Sequence, residues 1–268
     1  VSKNVRKENV TPNKNDYQFS QQALKVLFAT LSSFYNYLLQ EESVSVNPVA
    51  LIRQKSKFLR NEQQIKTIRR LSEEQWQTVI QIAKDMVKED FKHERAVFIL
   101  SCLYSMYLRI SELVENDRWS PSMSDFFKDT DGNWWFRTIG KGNKARQIAV
   151  SNAMLTALTH YRTSYLNISP YPLPNERLPL ISHLKNIHAP IQSERPIRKL
   201  VQEYFDLAAD HLEKQSKVHD ANALRTATVH WLRHTGISDD VKHRPREHVR
   251  DDAGHSSGAI TDRYIDID

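Results

Sequence analysis

Cysteine is almost absent from this chain of 268 residues: Cys102 is the only one. That excludes an internal disulfide and a cysteine-based zinc site. Cys102 itself falls in an apolar stretch and reads as inert packing. Apolar runs long enough to span a membrane are missing, and so is a signal peptide. A cytoplasmic protein is the expectation. The chain has no P-loop and no carboxylate cluster at metal-binding spacing. His243 and His248 miss the i, i+4 spacing of a helical metal pair. No metal site is therefore expected. What the chain does carry is charge: 26% of residues, a fraction typical of soluble globular proteins. The net charge is +6 and the pI about 9.3, which suits a polyanionic partner.

Punctuation divides the chain. Residues 1–15 are polar, with Lys3, Arg6, Lys7 and Lys14, and are expected to be disordered or extended. Residues 20–40 place Leu24, Leu27, Leu31, Phe34, Tyr37 and Leu38 at helical spacing. Asn47-Pro48 signals a turn or cap. A cation-rich stretch over 49–70 includes Arg53, Lys55 and Lys57 and reads as a linker. Ser72 and Gln75 then form a capping box at the start of another helix. A domain boundary is expected near residues 60–70. Residues 96–103 are strongly apolar, lack Gly and Pro, and predict a buried helix. Residues 166–196 hold Pro170, Pro172, Pro174, Pro179, Pro190 and Pro196 and predict an irregular surface excursion.

Two upstream segments and the C-terminal forty residues carry the chemistry. Arg109 ends an apolar stretch, where a lone guanidinium is costly unless paired, and Glu112 stands three residues on to hold it. Asp131-Gly132 is one turn signal, and the run from Gly140 through Lys141 and Gly142 to Asn143 is a second. Together they predict a small antiparallel sheet of two hairpins, with Lys141 at a tip. His230 and Arg233 lie one helical turn apart and could grip two oxygens of one phosphodiester. Gly254-His255 follows, and then Tyr264, whose hydroxyl could attack that phosphate and form a covalent ester.

The ordered set Arg109, Lys141, His230, Arg233, His255, Tyr264 resembles the tyrosine recombinases, the family of phage and transposon integrases that includes Cre and lambda integrase. The resemblance runs from about Leu71 to Tyr264. It implies a mainly α fold with one small antiparallel sheet, an α+β catalytic core over residues 66–268. Residues 1–65 resemble the tail of the family's helical core-binding domain, followed by the linker. The implied activity is site-specific breakage and rejoining of DNA through a 3′-phosphotyrosyl link, with no cofactor. Arg109 and Arg233 would hold the non-bridging oxygens, and His230 and His255 would donate hydrogen bonds or help remove the phenol proton. Tyr264 would attack, and Lys141 would protonate the leaving 5′ oxygen, with Lys144 its rival. Arg53, Lys55, Lys57, Lys144, Arg146 and Thr235 are the candidate DNA contacts. Implied partners are double-stranded recombination sites, with a tetramer on DNA, a monomer alone, and a place at the nucleoid.

This sequence departs from the family in three places. Residues 236–253 are polar where the family more often has an apolar helix. Only Ile265 to Asp268 follow Tyr264, where many members carry a helix that docks on a neighbouring subunit. That leaves either truncation or another mode of assembly. The Val1 start suggests a fragment or a processed N-terminus. Two rival readings share the fold. Type IB topoisomerases typically carry lysine where this chain has His230. A DNA-binding regulator with a dead site would not need all six positions intact.

Overall fold

The computed structural model describes residues 20–55, 69–140, 142–255, 258–262 and 264. Two units are present, Val1–Lys66 and Thr67–Asp268. The predicted extended segment 1–15, Lys57 and Lys141 lie outside the described residues. Among the described residues no helix is long and apolar enough to cross a membrane.

In the first unit, α1 (Gln21–Gln40) begins where the Ser20 hydroxyl accepts from the Ala23 amide at 3.1 Å. The second helix, α2 (Pro48–Lys55), has proline in its first turn, where a missing N–H costs nothing. Asn47 joins the two. Its side-chain oxygen caps α2 by accepting from Val49 and Ala50, and its amide donates to the Ser32 carbonyl of α1. The turn signal at Asn47-Pro48 is thus a side-chain clamp between neighbouring helices.

The second unit contains α3 (Glu73–Glu89), α4 (Glu94–Ser105), β1 (Phe126–Lys128), β2 (Trp134–Gly140), β3 (Lys144–Ala149), α5 (Asn152–His160), β4 (Ser182–His183), β5 (Asn186–Pro190), α6 (Arg195–Lys214), α7 (Val218–Thr226), α8 (Val229–Asp240), α9 (Arg246–Ala253) and α10 (Gly258–Asp262). The capping box at Ser72 and Gln75 starts α3, which buries Trp76, Val79, Ile80 and Ala83 at helical spacing. Helix α4 is buried all round from Glu94 to Leu103 and packs against α3, α5, α6 and α8. It is the centre of the core.

The three-stranded sheet has the order β1-β2-β3, with Phe136 opposite both Phe126 and Ile148. These three side chains are buried and hold the sheet to the helices. Both predicted turns are present. Gly132 has φ +84°, while Gly142 and Asn143 have φ +78° and +59°, the left-handed backbone such turns require.

The proline-rich stretch corrects the sequence reading. It contains the antiparallel β4–β5 hairpin and places Leu178, Leu180, Ile181 and Ile191 in the core. Backbone bonds from Met123 to Leu178 and from Leu180 to Pro121 sew it down. Its anchor is Arg162, a buried guanidinium that makes a bidentate pair with Glu176 (2.6 and 2.9 Å) and donates to the Ser169 and Tyr171 carbonyls. Alternating prolines hid a short apolar pattern. Glu176→Ala would strand the buried charge of Arg162. We expect a loss of about 3 kcal/mol in urea denaturation, the range for breaking one partner of a buried pair.

Residues 236–253, polar in sequence, form the end of α8, a short loop and α9. Arg244 pairs within the segment, with Asp240 (3.1 Å) and Asp252 (2.6 Å), and Arg246 pairs outside it with Asp262 (2.8 Å). Ion pairs therefore occupy part of the interface that apolar side chains would otherwise fill. Gly236 permits this crossing, since a Cβ there would overlap the Tyr104 carbonyl oxygen of α4.

Candidate active site

The exit of α4 sets the first arginine. Tyr107 takes φ +49°, a left-handed conformation that costs a residue with a Cβ about 1 kcal/mol. Three bonds hold it there. Arg233 donates to its carbonyl, its hydroxyl donates to the Asp240 carboxylate, and Arg244 Nη1 donates to that hydroxyl at 3.2 Å. Burial first, and then Asp240, raise the Tyr107 pKa far above the usual phenol range. The chain then turns, and Arg109 enters extended backbone ahead of a short 3₁₀ turn, Ile110–Glu112.

Glu112 is the hub of the cationic cluster. Its carboxylate accepts from the Arg109 amide at 2.9 Å and from Arg109 Nη1 at 3.0 Å. It also takes both terminal nitrogens of Arg146, at 2.9 and 2.8 Å. Burial raises its pKa, but the bonds and charges of Arg146 and Arg109 outweigh that, so the carboxyl stays ionised below its ordinary range. The Arg146 Nε donates to the Asp252 carbonyl, tying β3 to α9. Gly140 lets β2 end beside this cluster, since a Cβ would stand 2.6 Å from Arg146 Nη1 and 3.1 Å from Glu112 Oε1.

Arg233 is 2% exposed, and its terminal nitrogens donate to the Tyr107 and Ala253 carbonyls. Burial, then Arg109, then Arg146, bring its pKa down to about 9. Two guanidiniums, Arg109 and Arg146, share the Glu112 carboxylate and Arg233 lies close to both, an excess of positive charge in a desolvated place. An anion there relieves the repulsion. Beside Arg109 and His230 lies a cleft of about 290 Å³, also lined by Ser111, Arg198 and Thr228.

Helix α8 presents His230, Arg233 and His234 on one face, because residues three and four apart are neighbours. The His230 and His234 rings meet edge to face with centroids 4.3 Å apart. His234 Nδ1 lies 2.5 Å from the Tyr264 hydroxyl. Gly254, at φ +63°, caps α9 and turns the chain so that the His255 amide reaches the Arg250 carbonyl. His255 Nδ1 is bonded to the buried Thr261 hydroxyl at 2.9 Å, and its ring lies nearly parallel to the Tyr264 ring at 5.9 Å. Tyr264 is 5% exposed and packs with Tyr107, Ile237, Val249 and Ala253.

All three histidines are held toward the neutral form. For His230, desolvation leads, followed by Arg233 and Arg109. For His234 the pKa falls to about 3 through burial, then His230, Arg233 and His255. For His255 it falls to about 4 through burial, then Arg233, Arg109 and Arg146.

Arg109, His230, Arg233, His255 and Tyr264 therefore converge on one region of the second unit, with Glu112 beneath Arg109. Two expected DNA contacts are corrected. Thr235 is 1% exposed, and its hydroxyl donates to the Trp231 carbonyl and accepts from the Leu71 amide, so it holds α8 to the start of α3. Arg146 has its guanidinium committed to Glu112 and Asp252, so it is a support and not a free phosphate contact. Lys144 and Arg53 are exposed, and Lys55 closes α2. Sequence reasoning assigned no role to His234. Its i, i+4 spacing from His230 was the signal that places it on the same face.

A phage integrase family model matches residues 69–268. A tyrosine recombinase XerD of Shewanella oneidensis is 31% identical over 149 residues, 56% of this chain and 44% of that protein. The chain thus aligns with less than half of that relative. The Staphylococcus epidermidis tyrosine recombinase XerD is 23% identical over 251 residues, 92% of this chain and 72% of that one. Among solved structures, the XerH site-specific recombinase in a post-cleavage complex with its difH substrate shares the fold, with a TM-score of 0.57. Its identity is 15%, and the match covers 91% of this chain and 61% of that one. With the family model matching residues 69–268, well over half of its length, the chain belongs to the phage integrase family.

Proposed function

We propose that this protein cuts and rejoins DNA at specific sites, using Tyr264 as the nucleophile. The observation that carries this is the position of the phenol: hydrogen-bonded to a neutral histidine, beside a cluster with more guanidiniums than carboxylates. A phosphodiester is already an anion, and attack builds further charge on its non-bridging oxygens. Arg109 is the more open donor, 27% exposed, and is kept rigid by Glu112. Arg233 adds a fixed charge from below. Preorganised donors of this kind lower the barrier without reorganisation. His230 and His255 serve as hydrogen-bond donors to the phosphate, each through a ring nitrogen. Tyr264 forms a 3′-phosphotyrosyl link, and the new ester conserves the energy of the broken bond. A second DNA end then attacks it, so the reaction needs neither ATP nor a metal.

Lys141, which follows Gly140 in the sequence, is the proposed general acid. The duplex would follow the cleft of Arg109, Ser111, Arg198 and Thr228, with Lys144, Arg53, Lys55 and Lys57 on the backbone. The first unit would be part of a core-binding domain. Strand exchange between two duplexes needs four cuts, which argues for a tetramer on DNA from a monomer in solution, working where the cell holds its DNA.

The leaving group tests the acid. Lys141→Ala should cleave an ordinary site slowly and recover on a substrate whose bridging 5′ oxygen is sulfur, since a thiolate leaves without a proton. Equal defects on both substrates would move the acid role to Lys144 or His230.

A further inference from the structure

The reaction needs a group to take the phenol proton, and the chain offers three histidines near Tyr264. We propose that His234 is that base. The inference rests on the reading of Tyr264 as nucleophile. His234 Nδ1 stands 2.5 Å from Tyr264 Oη, within the reach a general base requires. The lone pair of an imidazole nitrogen lies in the ring plane. His255 lies nearly parallel to the phenol ring, at an interplanar angle of 17°, and its Nδ1 is engaged by Thr261. That leaves its face, not a lone pair, toward the phenol ring. His230 meets His234 edge to face, one helical turn away on α8.

Protonation states agree with this direction of transfer. His234 is held in the neutral form, and with its N–H on Nε2 the Nδ1 lone pair accepts from the phenol. The groups facing His234 that hold it neutral are His230, Arg233 and His255, together with its burial. A phosphate brought to Arg233 cancels part of that cationic field, so substrate strengthens the base. During attack, the Oη–H bond breaks and the proton moves to Nδ1, while the Oη–P bond forms. The bond from phosphorus to the 5′ oxygen breaks, its electron pair leaves with that oxygen, and a proton from the general acid completes the hydroxyl. Rejoining runs the same steps backwards, with imidazolium His234 returning the proton.

The test uses the full chain and a nicked suicide duplex carrying a site selected from a random-sequence library. Single-turnover adduct formation is followed on denaturing gels. His234→Ala should slow it by about 10²–10⁴, the usual contribution of a general base, with DNA affinity within about two-fold. Added imidazole should restore part of the rate. His234→Asn guards against misfolding, because its amide oxygen can still accept from the phenol and hold it in place, yet cannot take the proton. It should be as slow as His234→Ala, with a rate rising tenfold per pH unit. Near wild-type cleavage by His234→Asn, or by His234→Ala, would overturn the proposal and make His234 a packing residue. Wild-type protein that binds the duplex and forms no adduct would remove Tyr264 as nucleophile and this base with it.

Discussion

Tyr264→Phe should bind its DNA site as tightly as wild type and form no covalent adduct. The ring packs with Tyr107, Ile237, Val249 and Ala253, and phenylalanine keeps all of that surface. The change removes one oxygen, whose partner is His234 Nδ1. Losing that bond costs about 1 kcal/mol of stability, too little to unfold a domain. The chemistry loses its attacking atom altogether, so the expected effect on adduct yield is complete. Gel-shift affinity and suicide-substrate trapping on one preparation separate binding from reaction. Adduct at wild-type yield in the variant would show that another residue attacks.

Arg109→Ala should slow single-turnover cleavage by about 10²–10³, as when one preorganised transition-state donor is removed. Arg109 suits this test because the neighbourhood survives its loss. Glu112 keeps its two bonds from Arg146, so no carboxylate is left buried and unpaired. Arg233→Ala would be less clear, since it also strips donors from the Tyr107 and Ala253 carbonyls. Arg109→Lys should recover little, because an ammonium cannot bond Glu112 and present a planar fork to a phosphate at once. Cleavage by Arg109→Lys within about three-fold of wild type would mean that charge alone suffices there.

Much of this molecule was legible in the sequence. Punctuation and period located the core helix over residues 96–103, the capping box at Ser72, and both turns of the small sheet. The order of Arg109, His230, Arg233, His255 and Tyr264 identified the family before any geometry. The misreadings share a cause: burial is a property of the fold. Thr235 follows His234 directly, yet its direction on α8 turns it inward to the Leu71 amide. Arg146 looked like another surface cation, but a buried Glu112 draws its guanidinium in. The polar run over 236–253 looked unfit for packing. Several of its charges prove to be mutual partners, and Arg244 joins Asp240 and Asp252, groups far apart in any apolar pattern. Residues 166–196 misled through their prolines, which break periodicity without preventing Leu180 and Ile181 from entering the core.

The measurement that tests the central claim most directly is the mapping of the protein–DNA link. Wild-type protein is trapped on a nicked suicide duplex, digested with protease and nuclease, and the modified peptide is sequenced by mass spectrometry. We expect one modified peptide, carrying a nucleotide 3′-phosphate on the Tyr264 oxygen. A 5′-linked nucleotide, or a link to any other residue, would contradict the account.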